Sequence, residues 1–244
     1  MKDKFNPLYD PRSANNVCIF GQLLLTDLIE RLEGRCELIQ SNTDGLIVKL
    51  HGNEQEVRDI CSEWEHRTGM GLGYDKITKI CQKDVNNYII VFDDGKIDSK
   101  GAYVKPLNDL DYDLPIVNEA VKDYLLRDIP VENTVMLCND FRKFQKVVKL
   151  SAKYQWVEHE QLGGNVRYDN KAYRVFASIN ESDGRLLKCK VTENGDKKDK
   201  FANTPDHCFI YNDEIIGKEV PRNLDKGYYV DLAYKRLKDF GAAL

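Results

Sequence analysis

Cys36-Glu37-Leu38-Ile39-Gln40-Ser41-Asn42-Thr43-Asp44-Gly45-Leu46-Ile47-Val48-Lys49-Leu50 is the stretch from which the fold is read. Two short apolar runs, Leu38-Ile39 and Leu46-Ile47-Val48, flank a polar turn that carries one carboxylate. Aliphatic and β-branched residues suit strands, and Asp-Gly between two such runs is a hairpin signal. The stretch therefore predicts an antiparallel hairpin over 36–50. A hairpin tip presents its side chains at the end of a rigid ladder, a suitable place to hold a carboxylate beside a metal ion. Most Asp-Gly hairpins are turns and nothing more, so any chemistry must be argued from the remainder of the chain.

On the N-terminal side, Val17, Phe20, Leu24, Leu25, Leu28 and Leu32 recur at helical spacing and predict a helix over about 14–32, stopped at Gly34. Pro7 and Pro11 make residues 1–13 irregular, with a turn at Tyr9-Asp10-Pro11-Arg12. On the other side, Val57, Ile60, Cys61 and Trp64 predict a second helix over 54–67, with Gly69 after it. Residues 71–101 read as strands, with a further hairpin turn at Asp94-Gly95. Helix, hairpin, helix and meander make an α+β fold, with helices on one face of an antiparallel sheet.

The character changes near Pro106, where an acidic connection, Asn108–Asp113, begins. Ile116 to Leu125 marks a helix that ends before Pro130, and 130–150 reads as a short helix followed by a longer one carrying Phe141, Phe144, Val147 and Val148. A basic stretch with interleaved aromatics overlaps it: Arg142, Lys143, Lys146, Lys149, Lys153, Tyr154 and Trp156. Strands follow at 174–179, 186–191 and 208–211. Residues 194–200 read as an exposed charged linker, and a helix over 228–240 closes the chain.

The composition narrows the function classes. With 244 residues, 42% apolar and 31% charged, the chain has a core and no apolar run near the ~20 residues of a membrane helix. No apolar signal core follows Met1, so a cytoplasmic setting is expected (the bacterial host cytoplasm if the chain is phage-encoded). Seven scattered cysteines without a CxxC pair, and four histidines without ligand spacing, argue against a disulfide framework or a zinc site. A net charge of −4 restricts any nucleic-acid contact to a local basic patch. There is no phosphate-binding glycine loop and no nucleophile elbow; Gly69-Met70-Gly71-Leu72-Gly73 lacks the Gly-Lys-Ser/Thr that such a loop needs. Asp44 is the best candidate for chemistry.

Residues 5–50 resemble the palm of family B DNA polymerases, in particular the phage-encoded branch. Leu8-Tyr9-Asp10-Pro11-Arg12-Ser13-Ala14-Asn15-Asn16-Val17 is similar to the segment that follows that family's nucleotide-binding helix. Gly21-Gln22 stands where the family has a Gly-Arg pair, and Gln40-Ser41-Asn42-Thr43-Asp44-Gly45 where it has Tyr-Gly-Asp-Thr-Asp-Ser. Lys83 to Tyr88, followed by Asp94-Gly95-Lys96 and Lys100-Gly101, is similar to its primer-gripping Lys-x-Tyr segment and the Asp-Gly-Lys…Lys-Gly after it. The resemblance implies that 1–105 is the C-terminal part of a palm, and 106–244 a mixed helical and β thumb with a C-terminal extension.

What the resemblance implies for function is nucleotidyl transfer with two Mg²⁺ ions about 4 Å apart, held by carboxylates. Asp44 stands where the family has its metal-binding Asp. Asn42 replaces the other Asp of the motif, and an amide supplies no charge; Thr43 and Gly45 complete the hairpin tip. Lys83, Tyr88 and Lys100, with Arg142, Lys143 and Lys146, are the expected DNA contacts. The family's second metal-binding Asp, its triphosphate-contacting Lys and its exonuclease domain have no counterpart in the chain. The resemblance begins where the triphosphate-binding motif would just have ended, which implies a longer reading frame or a split gene. The expected partners are primer-template DNA, a dNTP and an upstream polymerase segment. The expectation is a polymerase fragment inactive by itself; the alternative is a non-catalytic DNA-binding or replication-accessory module derived from one.

Overall fold

The computed structural model describes residues 9–105 and 113–242. The start of the irregular segment (1–8) and most of the acidic connection (106–112) lie outside the described residues. The fold is α+β with antiparallel sheets, as expected. The chain divides into two compact units, one running to Thr78 and including Phe92–Gly95, the other formed by Lys79–Val91 and the chain from Lys96 onward.

In the first unit, α1 (Pro11–Leu32) begins earlier than expected: residues 11–13, read as part of an irregular segment with a turn at 9–12, are its first turn. Pro11 occupies the first turn, where no N–H is needed, and the Asp10 carboxylate accepts hydrogen bonds from the Ser13 N–H at 2.9 Å and the Ser13 hydroxyl at 2.6 Å. Strands β1 (Cys36–Ser41) and β2 (Leu46–Leu50) form the expected hairpin. Helix α2 (Glu54–Thr68) is capped by Asn53, whose side chain accepts the Gln55 N–H at 2.9 Å, and ends at Gly69 in the left-handed region, φ 69°. The C-terminal half of α1 packs on α2: Leu28 and Leu32 meet Val57, Cys61 and Trp64. Arg31, Arg35 and Arg67 add ion pairs to Glu63, Glu56 and Asp27 respectively.

The N-terminal half of α1 is different. From Ala14 to Thr26 it carries no charged residue, yet Val17, Phe20 and Leu23 are 68%, 64% and 59% exposed. A helix that is apolar around most of its circumference is normally buried.

Strands β3 (Ile77–Asp84), β4 (Asn87–Phe92) and β5 (Ile97–Lys100) form a three-stranded meander. Gly101, at its end, has φ +102°, and a Cβ there would sit 2.7 Å from the Asn86 carbonyl oxygen, so only glycine fits.

The second unit has a helical and a β part. Helices α3 (Pro115–Arg127), α4 (Val131–Leu137) and α5 (Lys226–Asp239) enclose Ile116, Val117, Ala120, Val121, Phe144, Tyr229, Ala233 and Leu237. Phe141 stacks on Phe176 at 4.2 Å, and Phe144 meets Tyr229 edge-on at 5.1 Å. Arg236, 8% exposed, lies over the Tyr103 ring at 4.4 Å and donates to the Asn118 side-chain oxygen, while the Asn118 amide donates to Ala102 at 2.9 Å. A buried polar group thereby keeps its partners.

Here the structure corrects two expectations. The longer helix expected before Leu150 is a single 3-10 turn (Phe141–Phe144) followed by strand β6 (Lys146–Lys149). The Asp140 carboxylate caps that turn by accepting the Arg142 N–H at 3.0 Å, and Val147-Val148 then pair with Arg174 and Tyr173. Beyond it come β7 (Trp156–Gln161), β8 (Val166–Tyr168), β9 (Ala172–Ala177), β10 (Asp183–Thr192), β11 (Gly195–Lys200) and β12 (Cys208–Ile210). The charged residues read as a linker are β11, which pairs with β10 from Thr192↔Gly195 to Leu187↔Lys200. Sheets β11-β10-β7-β8 and β12-β9-β6 share one core of Val148, Val157, Tyr173, Val175, Leu186 and Cys208.

Among the described residues no helix is long and apolar enough to cross a membrane. None of the seven cysteines is joined in a disulfide among the described residues.

Candidate functional site

The β1–β2 hairpin places Asp44 at its tip. Ser41 and Leu46 are the last paired residues, and the turn is closed by the Asn42 N–H donating to the Gly45 carbonyl at 3.0 Å. Inside it the Asn42 side-chain oxygen accepts the Asp44 N–H at 3.1 Å, an Asx turn. The Thr43 hydroxyl lies 3.4 Å from an Asp44 carboxylate oxygen, and the carboxylate itself is exposed. Gly45 is not in the left-handed region, and a Cβ there would meet only the Asn42 side-chain oxygen at 3.6 Å. A serine therefore fits at this position.

Two features of the hairpin were not legible. A bulge at Ile39 shifts the register, so that Leu38 faces Val48 but Gln40 faces Ile47. Cys36, Leu38, Leu46 and Val48 share one face, where they line an open cleft of about 360 Å³ with Ile29, Leu32 and Gly34. Just past the bulge, Gln40 is 5% exposed with its side-chain oxygen unpartnered. The second feature is the sheet's extent: β1 and β2 pair only with each other, so both outer edges are open among the described residues. A two-stranded ladder of this kind is marginal in water unless something packs on it.

The donor set falls short of the two Mg²⁺ ions implied by the resemblance. Asp44 offers one carboxylate. The Asn42 amide oxygen is neutral and already engaged, and among the described residues no group of three or more His, Cys, Asp or Glu side chains converges. One carboxylate does not fit two divalent ions against phosphate repulsion, so the residues present do not make a complete centre.

In the second unit, Tyr88 on β4 and Lys100 on β5 are direct cross-strand partners. Burial, with the neighbouring Asp98 carboxylate, raises the Tyr88 phenol above its ordinary value. The Lys83 ammonium on β3 is 3.3 Å from Asp239 and 5.1 Å from the centre of the Tyr103 ring. Each of the three expected thumb cations has an acidic partner. Arg142 forks onto Asp140 at 3.1 and 2.9 Å, Lys143 meets Glu119 at 3.0 and 2.7 Å, and Lys146 meets Asp113 at 2.7 Å. At these three positions the sequence is basic, but each charge is matched by a carboxylate.

Fold and hairpin together define an α+β chain with a lone carboxylate at an open-edged hairpin tip. Part of the chain is similar to DNA polymerase 1 of Saccharolobus solfataricus, 25% identical over 175 residues. The match covers 70% of this chain and 19% of that polymerase, so the chain spans about a fifth of the relative's length. No protein-family model matches. The likeness supports a relation to DNA polymerases.

Proposed function

We propose that this chain is the C-terminal palm and thumb portion of a DNA-directed DNA polymerase of the family B, phage-like type. Asp44 contributes one of the carboxylates that hold divalent cations for nucleotidyl transfer to a dNTP. Lys83, Tyr88 and Lys100 contact the primer strand, and Arg142, Lys143 and Lys146 grip duplex backbone by exchanging their present carboxylate partners for phosphates. The second carboxylate and the triphosphate-binding lysine come from an upstream polymerase segment, and without it the chain does not polymerise.

One observation carries the reading: among the described residues the first unit exposes the apolar half of α1 and leaves both hairpin edges open. The matched relative is about five times longer than the match. A helix of this composition gains by having its exposed side chains covered, at roughly 1.5–3 kcal/mol for each large one fully buried. The upstream segment is the proposed cover.

The test is association. Phe20→Asp with Leu23→Asp puts two charges on the face to be covered. Both residues are exposed, so the folded chain alone loses little stability. Co-purification with the upstream polymerase segment, cloned from the same source, is expected to weaken at least ~30-fold. Unchanged association would remove the proposed cover.

A second reading, a non-catalytic DNA-binding or replication-accessory module, is favoured by one feature. Asn42 spends its oxygen on the Asp44 N–H, which is what a turn requires and a metal site does not. The two readings part on whether the completed assembly extends a primer.

A further inference from the structure

The unpaired positive charge does not gather at Arg142, Lys143 and Lys146. It gathers around Tyr154, where Lys153 of the same basic stretch meets lysines of β10 and β11. The Lys188 ammonium is 5.0 Å from the centre of the Tyr154 ring, Lys153 5.3 Å and Lys190 5.9 Å. Lys197, on β11, is the direct cross-strand partner of Lys190. Strand alternation puts Lys188, Lys190, Lys197 and Asp199 on one side of the sheet. Tyr154 is 6% exposed, and its hydroxyl donates to Asp199 at 2.7 Å. The ring is thus a fixed post, and the lysines stand around it.

The charge balance is one-sided. Asp199 is the single carboxylate within this group; it faces Lys188 across the ladder, accepts from the Tyr154 hydroxyl and lies 4.0 Å from Lys197. Its pKa is held below the ordinary value by that hydrogen bond and by the surrounding lysines, so four ammonium groups share one carboxylate. Lys153, Lys188 and Lys190 have no ion-pair partner among the described residues, in contrast to Arg142, Lys143 and Lys146. Like charges directly opposite on a ladder are destabilising, so Lys190 facing Lys197 weakens the hairpin. A polyanion laid across the face reverses that term. Lys188 and Lys190 are two residues apart on one strand, about 6.8 Å, and form a row of cations along the strand rather than a point site. On a chain of net charge −4 such a face is local, so non-specific attraction by the whole molecule does not account for it.

We propose that the face made by Lys153, Lys188, Lys190 and Lys197 binds the phosphate backbone of a nucleic acid, as a contact additional to the primer-template residues named above. It rests on the reading that this chain works on DNA. That reading favours a nucleic acid over an anionic lipid surface.

The test uses the whole chain and a labelled duplex oligonucleotide, with binding followed by fluorescence anisotropy between about 50 and 200 mM salt. Lys188→Gln with Lys190→Gln is expected to weaken binding about tenfold or more at the lower salt. The plot of log affinity against log salt should become shallower by about 1.8, for two phosphate contacts at ~0.9 each. Lys188→Arg with Lys190→Arg keeps the charges and should bind like the unaltered chain, which separates lost charge from lost folding. The proposal is overturned if Lys188→Gln/Lys190→Gln leaves affinity and slope unchanged. It is equally overturned if that variant loses binding to phosphatidylserine vesicles while the unaltered chain ignores DNA. Salt-dependent DNA binding through these lysines, in an assembly that never extends a primer, would sink the polymerase reading and leave this face standing. Asp44-dependent extension with DNA binding indifferent to Lys188 and Lys190 would do the reverse.

Discussion

Asp44→Ala, placed in the assembly with the upstream polymerase segment, is expected to bind primer-template as the unaltered chain does and to extend the primer more than ~10²-fold more slowly. The size follows from what is removed: a preorganised charge aimed at a reacting centre typically costs that much or more. The hairpin itself does not depend on it. The turn is closed by main-chain atoms and by the Asn42 side chain receiving the Asp44 N–H, which alanine retains. The carboxylate is exposed and, among the described residues, meets only the Thr43 hydroxyl, so substitution should alter stability by less than ~0.5 kcal/mol. Asp44→Asn preserves the shape, drops the charge and should fall as far. Primer-extension rates with saturating template, beside melting curves of the isolated variants, make the comparison. Extension that survives either change places the chemistry elsewhere.

Phe144→Ala is expected to be the most destabilising single change in the second unit, costing about 3–5 kcal/mol. The ring is fully buried, lies edge-on to Tyr229 and sits 5.6 Å from the Lys226 ammonium. It stands in the short turn between α4 and β6, where the helical core continues toward Phe141, Phe176 and Tyr229. At about 2–4 °C per kcal/mol for a unit of this size, the melting temperature should drop by roughly 6–20 °C. Phe144→Leu, which keeps most of the volume, should lose much less. A loss below ~1 kcal/mol for the alanine variant would contradict the packing described.

How much could be read from residues alone varied with the range of the interactions that decide each element. The body of α1 was legible from Val17, Phe20, Leu24, Leu28 and Leu32 at helical spacing, and α2 from Val57, Ile60, Cys61 and Trp64 with Gly69 after them. The start of α1 was not: Asp10-Pro11 reads equally as a turn, and only the Asp10 carboxylate on the Ser13 N–H makes it a cap. The hairpin was legible from Asp44-Gly45 between two aliphatic runs. Strand β6 was misread because Phe141, Phe144 and Val148 also repeat at helical spacing, and the deciding partner, β9, lies some distance along the chain. Strand β11 was missed for its charge, although Asn194-Gly195 before it is a hairpin signal of the same kind as Asp44-Gly45.

The candidate site divides the same way. Asp44 at a turn needed only the local pattern, and its chemical meaning came from resemblance. That Lys143 and Lys146 are neutralised could not be seen, because Glu119 and Asp113 are far off in sequence. The cationic row on β10 becomes visible only once Leu186–Val191 is laid out as a strand and Lys188 and Lys190 fall on one face.

The central claim is that this chain is one part of a polymerase and holds only part of its metal site. Its most direct test is primer extension with Mg²⁺ by the chain alone, by the upstream polymerase segment alone, and by the two together. Extension by the pair and by neither part separately is the predicted result. Extension by the chain alone, or its absence from a pair shown to associate and to bind primer-template, would contradict the account.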